Sequence, residues 1–407
     1  MRLLGLCAWS ICAAAFAADV QVRSVSLLTG GPELTQPSQS QTLVPLYELV
    51  GLNARKIELS GFDDLSVAVD AWGSFLPSGP TVAGDVNIAY LEGLTAKKHL
   101  RLRVGRQLIV GGTSRMMAVD GLFAEVRGVY GFGLNAFVGN PVERRFSNFT
   151  RGDLAAGSRL FFSPGTDLQA GVSLTYVGDK GATVRNDLGV DARWFAGHGL
   201  SLAGAMLYSL PEQRLAEIDL GPRWQPIPTV EVLAGWRRTA PDLFLPRDSI
   251  FTVFADTTRD QLGGTATWQA MRWLALTGDV QAIWLNQESG YDLGLSARLS
   301  PTRSNATSVT AQLRRLEIPV NGYTQGRLAA RHKLPAGLAL FVDLDLYQLD
   351  QPIRGVRTSF TFSGGATYAI TRQWSCGFSF MTGHNPYFDS HDELMLKLSY
   401  LFPESMR

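Results

Sequence analysis

The chain has 407 residues and a formal net charge of +1, with 37 Lys and Arg against 36 Asp and Glu, so it has no strong footprint for nucleic acid or another polyanion. Helix patterning is nearly absent despite 42 glycines and 45% apolar residues, and past the N-terminus nothing approaches 18 uninterrupted apolar positions, which excludes a helical membrane protein.

The N-terminus reads as a secretory leader. Arg2 is its charged start, residues 3–16 are a short apolar stretch, and Ala15-Phe16-Ala17 is an A-x-A cleavage site. The stretch is too short to span a membrane as a helix. Cys7 and Cys12 fall inside this leader (residues 1–17), and Ile11 before Cys12 is a poor lipoprotein context. A mature chain from residue 18 keeps only Cys376, which can form no internal disulfide and binds no metal alone.

Residues 19–28 alternate as D-V-Q-V-R-S-V-S and predict a first strand, with the Pro/Ser/Gln-rich residues 29–41 as its outside loop. From Leu46 onward about 21 runs of roughly 9–13 residues repeat a two-residue beat. Leu65, Val67, Val69, Ala71 and Phe75 oppose Ser66, Asp70 and Ser74. Leu168, Val172, Leu174 and Tyr176 oppose Gln169, Ser173 and Thr175. Tyr291, Leu293, Leu295 and Leu299 oppose Asp292, Ser296 and Arg298. Leu338, Leu340, Val342, Leu344 and Leu346 oppose Asp343, Asp345 and Tyr347. The last run ends Leu394, Leu396, Leu398, Tyr400, Phe402 on one face, against Met395, Lys397 and Ser399 on the other. Side chains alternate faces along a strand, so each run has one greasy side and one polar side.

The connections alternate as well. Tight turns are expected at 128–131, 163–167, 196–199, 225–228, 270–272, 300–304, 334–337 and 371–373. Longer links are expected at 106–119, 139–152, 178–183, 238–258, 348–355 and 383–392. A soluble sandwich also alternates, but it rarely sustains so many long runs after a leader. The fold class is therefore all-β: one transmembrane antiparallel β-barrel over residues 18–407, with about 22 strands (18–22), short periplasmic turns and longer extracellular loops. The chain is placed in the outer membrane of a Gram-negative bacterium, with the C-terminus in the periplasm. Tyr176, Trp194, Tyr208, Trp224, Trp236, Trp268, Trp273, Tyr368, Trp374 and Tyr400 fall near strand ends, as interfacial girdles do.

Charges in the polar phase should face the lumen, because an Arg on the lipid face at mid-membrane costs about 2–4 kcal/mol. The basic candidates for lumen or rim are Arg101, Arg103, Arg106, Arg115, Arg159, Arg193, Arg223, Arg237, Arg298 and Arg314. Acidic candidates include Asp70, Asp85, Asp187, Asp191, Glu217, Asp219, Glu231, Asp279, Asp292, Asp343 and Asp345. They either pair across the wall or form rings that select a cargo. Barrel width grows with strand number, and about 22 strands enclose a wide lumen. Three resolutions stay open: a partner fills the pore, the strand count is lower, or residues 238–258 fold inward. That segment carries Leu243, Phe244, Ile250, Phe251 and Phe254, an apolar set for an outside loop.

Leu102-Arg103-Val104-Gly105-Arg106-Gln107, followed by Arg115 and then Asp120-Gly121-Leu122, resembles a hairpin of alginate-export-type porins, with its G-R-Q strand end and D-G-x strand start. The resemblance implies a barrel that passes a glycan polymer or solute beside a trans-envelope secretion system. It also implies that Arg103, Arg106 and Arg115 line the channel near its outer rim. The terminal aromatic Phe402 resembles the signal read by the barrel-assembly machinery, although residues 403–407 trail behind it.

Catalytic patterns are weak. His384, Asp389, His391 and Asp392 share one loop but read as a solvated turn, and Gly131-Phe132-Gly133 has no following helix to make a phosphate cradle. Ser158, Ser201 and Ser209 lack a nearby His to act as base. The expectation is a channel for hydrophilic cargo with no enzyme activity, cofactor, metal or nucleic acid. Its partners would be outer-membrane lipid and, for an exported polysaccharide, periplasmic or lipoprotein components. A simple diffusion porin and a structural sheath around an envelope complex are the alternatives.

Overall fold

The computed structural model describes residues 19–36, 39–76, 82–95, 99–111, 114–144, 149–151, 153–243, 257–285, 288–301 and 306–402. The leader, 1–17, lies outside them. Among the described residues the strands in chain order are β1 Asp19–Gln36, β2 Gln39–Leu43, β3 Leu46–Arg55, β4 Phe62–Phe75, β5 Val82–Thr95, β6 Leu100–Gly111, β7 Ser114–Arg127 and β8 Phe132–Arg144. Then come β9 Phe149–Arg151, β10 Leu154–Phe162, β11 Leu168–Asp179, β12 Ala182–Gly197, β13 Leu200–Ser209, β14 Arg214–Ile227, β15 Val230–Thr239 and β16 Arg259–Met271. The last are β17 Leu274–Leu285, β18 Glu288–Leu299, β19 Thr307–Glu317, β20 Tyr323–Lys333, β21 Leu338–Ile353, β22 Val356–Ala369, β23 Trp374–His384 and β24 Glu393–Phe402.

Apart from β2 and β9, these strands form a closed antiparallel barrel of 22 strands. Closure is made by β1, which pairs with β3 on one edge and with β24 on the other, in register from Val22↔Phe402 to Gly30↔Leu394. An antiparallel wall closes on itself only with an even count, so the first and last strands run oppositely and both termini lie at one end. The short strands are hairpin returns. β2 folds back on the far half of β1, and β9 on the end of β8.

The opposite end departs from the sequence reading. Of the expected loop 29–41, residues 29–36 and 39–41 are strand, with β1 running to Gln36 and β2 starting at Gln39. The expected link 106–119 is almost all strand, because β6 reaches Gly111 and β7 starts at Ser114. Links 178–183 and 348–355 shrink to the two-residue turns Lys180–Gly181 and Arg354–Gly355. Both turns hold two successive left-handed residues, φ 51° then 75° and 51° then 82°. That is the turn whose twist matches a strand pair, and the glycine at its second position carries no steric penalty there. Polar runs read as loop because ribbons that rise past the membrane lose the apolar half of their alternation while keeping their ladder.

The outer face is apolar and exposed. In β24, Leu394, Leu396, Leu398 and Phe402 are each 41–45% exposed. This inverts a soluble protein, in which such residues would form the core. Two aromatic belts bound the apolar band. Trp194, Trp224, Trp268, Tyr368, Trp374 and Tyr400 sit outward near the terminal end, with the rings of Trp374 and Tyr400 4.6 Å apart. Tyr176, Tyr208, Trp236, Trp284 and Tyr291 sit outward near the other end. Leu168, opposite Trp194, lies eight positions from Tyr176. That is about 26 Å along a strand, or on the order of 20 Å of height at barrel tilt, comparable to the apolar band of outer-membrane barrels.

Some carboxylates share the outward phase, and Glu48 shows how one is accommodated. Glu48 is in register with Ser26 and shares the outward phase with Leu46 and Val50. Its two carboxylate oxygens accept hydrogen bonds from the hydroxyls of Ser24 and Ser26. Satisfied lone pairs lower the cost of leaving an acid on an apolar face.

Candidate pore lining

The inner phase carries the charges, and most are paired. A recurring device makes the pairs: an arginine lies across a glycine on the next strand to reach a carboxylate on the strand beyond. Arg23, Gly51 and Asp70 stand in one register row across β1, β3 and β4, and Arg23 is ion-paired with Asp70. A Cβ on Gly51 would lie 2.5 Å from the Arg23 Nε. Across β10, β11 and β12, Arg159 passes over Gly171 to Asp191, donating from Nε at 3.0 Å and Nη2 at 2.5 Å. Asp279, Gly294 and Arg314 also stand in one row, but there the Asp279 carboxylate is what rests on Gly294, and Arg314 does not cross it, donating instead to Asp292 on the neighbouring strand at 2.7 Å. Only a residue without a side chain leaves that path open, which is why glycine sits in a polar phase where a strand would otherwise carry a larger residue.

The other predicted lining residues are placed as follows. Arg103 donates to Glu92 at 2.8 Å and stacks 4.4 Å from the Tyr90 ring centre, while Arg101 lies 3.8 Å from the same Glu92. Arg223 pairs with Glu231 and Arg237 with Asp219, both at 2.9 Å. Asp187 pairs with Arg185, and Arg327 donates to Asp343 at 2.9 Å. Asp345 accepts from the Gln325 amide at 2.9 and 3.0 Å and from the Tyr347 hydroxyl at 3.2 Å. Arg115 lies on β7, but its side chain is outside the described residues.

Arg106 is a clamp. Its Nε and Nη2 donate to Asp120 at 2.8 and 3.1 Å, and its Nη1 donates to Asp85 at 2.9 Å and to the Val86 carbonyl at 2.8 Å. The G-R-Q and D-G segments thus face each other across β6 and β7, in register Gly105↔Gly121 and Arg106↔Asp120.

A few lumenal cations have no carboxylate partner among the described residues. Arg193 stacks 4.5 Å from the Phe195 ring. Arg298, Arg331 and Lys397 make no ion pair among the described residues. The strands carrying all four run toward the terminal end, and Arg193, Arg298 and Arg331 fall within their last few residues.

Of the apolar residues proposed as a constriction, Leu243 ends the short turn Pro241–Leu243, whereas Phe244, Ile250, Phe251 and Phe254 lie outside the described residues. The loop with His384 and His391 satisfies itself. His384 Nδ1 contacts the Asp389 carbonyl at 3.0 Å, and Asp392 accepts from Thr382 and Ser390 at 2.6 and 2.7 Å. Those bonds hold the Asp392 carboxyl below its usual range, the Thr382 bond first. Among the described residues no three His, Cys, Asp or Glu side chains converge as metal ligands.

Sequence reasoning missed Arg23, Glu92, Gln325 and Arg327 as lining residues. For Arg23 a signal existed: Gly51 in the polar phase, with an arginine and an acid in the same phase of the two flanking runs. Glu92, Gln325 and Arg327 contact Arg103, Asp345 and Asp343 directly on the neighbouring strand, with no glycine between.

No protein-family model and no curated protein matches this sequence. The fold is similar to that of solved barrels. The P pilus usher (PapC) translocation pore aligns with a TM-score of 0.50 and 9% identity, over 95% of this chain and all of that one. A P pilus tip assembly intermediate from E. coli, PapC-PapD-PapK-PapG, aligns with a TM-score of 0.52 and 9% identity, over 96% of this chain and 63% of that one. Pseudomonas aeruginosa OpdQ aligns with a TM-score of 0.48 and 10% identity, over 95% and 99%. With its apolar outer band, two aromatic belts and charged interior, this chain is an outer-membrane β-barrel with a porin-type fold.

Proposed function

We propose that the barrel is a channel for hydrophilic cargo, and that the cargo it suits best is an anionic polymer such as an exported polysaccharide, delivered by periplasmic partners. In this reading residues 1–17 are the export leader and the end bearing both termini is periplasmic. The observation that carries the reading is a set of lumenal cations with no carboxylate partner among the described residues, three of them near the terminal end. Paired arginines build the wall, while Arg193, Arg298, Arg331 and Lys397 are left to meet an anion entering from the terminal end. Fixed charges lining a pore select the sign of what passes. The hairpin resemblance, with Gly105-Arg106-Gln107 and Asp120-Gly121, supports the polymer reading. The paired charges elsewhere would equally suit a simple diffusion porin.

The test is reversal potential in a planar bilayer under a salt gradient. An anion preference that falls or inverts in Arg193→Glu/Arg298→Glu supports the reading. A cation preference in the parent chain, or no change in the variant, removes anion selection. Loss of surface glycan in a deletion strain with small-solute uptake intact separates polymer export from diffusion. A chain that folds correctly but never conducts removes the channel and leaves a sheath filled by a partner.

A further inference from the structure

The wall forks between β5 and β6. Their ladder covers only Ala89↔Arg106 to Leu94↔Arg101. Above that level β5 goes on pairing with β4 as far as Phe75↔Val82, and β6 goes on pairing with β7 as far as Gly111↔Ser114. Among the described residues no strand pairs with the β6-facing edge of β5 beyond Ala89.

At the fork three glycines stand in one row, Gly105↔Gly121↔Gly139 on β6, β7 and β8. Gly105 has φ +120°. A Cβ on Gly121 would lie 2.6 Å from the Gly139 Cα, and a Cβ on Gly139 the same distance from the Gly121 Cα. Backbones pressed this closely mark a sharply bent sheet.

Above the bend, inner-phase Ile109 and Val119 are 5% and 0% exposed, and they share one buried cluster with Phe137, Ala155 and Val177 of β8, β10 and β11. β7 and β11 approach within 8 Å between Cα atoms although two strands separate them in the wall. In a gently curved wall they would lie about 14 Å apart. The β6–β7 ribbon above Gly105 and Gly121 is therefore rolled inward, with its inner face down on its neighbours.

The roll also explains a polarity anomaly. By register Arg106 and Asp120 share the phase of Leu102, Val104 and Leu122, which face lipid below the bend. Once the ribbon turns in, that phase no longer meets lipid, and charge there meets no apolar penalty. Arg106 fastens the foot of the ribbon by gripping Asp85 and the Val86 carbonyl on β5 and Asp120 on β7.

We infer that this infolded ribbon is a constriction that sets the size limit of the channel, held in place by Arg106. The inference rests on the channel reading above. Its back, carrying Leu108 and the 71% exposed Val110, would face the passing solute.

The test uses the mature chain in planar bilayers, in a Cys376→Ser background, with folding verified by heat-modifiability. Bulky thiol reagents on Leu108→Cys or Val110→Cys should reduce conductance, and the same reagents on lipid-facing Leu134→Cys should not. Replacing residues 108–117 by a short Asn-Gly turn should raise conductance at least about twofold and admit larger polyethylene glycols, as expected if a ribbon narrows so wide a lumen. An unmodified current after labelling at both ribbon positions overturns the inference. So does an unchanged size limit in the shortened ribbon alongside a larger one after deletion of 240–257, which assigns the constriction to that loop. A parent chain that never conducts overturns the channel reading itself. A conducting parent that is indifferent to the ribbon overturns only the constriction.

Discussion

Gly171 should tolerate a side chain only if Arg159 is absent. A Cβ at this position lies 2.6 Å from the Arg159 Nε, 2.7 Å from its Nη2 and 2.8 Å from its Cζ, where ordinary contact begins at 3.4 Å. The guanidinium would have to retreat by about 0.8 Å. That stretches the 3.0 Å bond from Nε to Asp191 toward about 3.8 Å, outside hydrogen-bond range. The pair is well shielded, with side-chain exposures of 8% and 17%. Hydrogen bonds to charged groups contribute about 1.5–3 kcal/mol, so Gly171→Ala should cost roughly 2 kcal/mol. Arg159→Ala leaves Asp191 without its cation and should cost about 3 kcal/mol, the low end for a broken buried pair because the lumen admits water. In the Arg159→Ala background, Gly171→Ala should be neutral or stabilising, since alanine orders a strand at less entropic cost than glycine. The coupling energy is then roughly 2 kcal/mol. Denaturant unfolding from detergent micelles, followed by tryptophan fluorescence and by band shift between heated and unheated samples, measures all four proteins of the cycle. Additivity within about 0.5 kcal/mol would refute the reasoning, because independent sites add to that degree.

Gly121→Ala should behave differently. Its Cβ would press on the Val138 carbonyl and the Gly139 Cα, which are backbone and cannot retract. A loss above about 3 kcal/mol, or failure to assemble, is expected, with no rescue by Val119→Ala; a mild effect on the unfolding midpoint would count against the bend. Lys180 holds φ 51° in its two-residue turn, so Lys180→Asn should raise stability by about 0.5–1 kcal/mol in the same unfolding assay. The Asp392 carboxyl, held low first by Thr382 and then by Ser390, supports its loop above the unfolded carboxylate range of about 4 and loses that support as pH falls through its depressed folded value. Amide exchange across residues 383–392 should stay flat from neutral pH to about pH 4 and rise below it, after correction for intrinsic rates. A rise already at pH 6 would count against this assignment.

The barrel was legible because a two-residue alternation is a local property. Leu394, Leu396 and Leu398 announce a greasy face wherever the strand goes, and the strand's neighbours follow from chain order in an up-and-down sheet. The strand count followed too, once the D-V-Q-V-R run was admitted as the strand that makes the number even. The pore lining was half legible. The phase of Arg159 or Asp343 could be read, but its partner could not, because Asp191 lies 32 positions from Arg159 and is reached over a glycine of a third strand. The polar ribbons past the membrane were read as loops because hydrogen-bonded ladders outside lipid need no apolar face.

By itself, then, the sequence determined which residues alternate, where the chain turns tightly, and that lipid lies outside and charge inside. Each of these depends on neighbours one or two positions away. Register, pairing and curvature were decided only by the closed sheet. The Gly105, Gly121 and Gly139 row is scattered over 34 positions in sequence, and its meaning, a wall bent inward and clamped by Arg106, exists only once three strands lie side by side. A bend requires backbones to approach, and which backbones approach is set by ladders that span the chain.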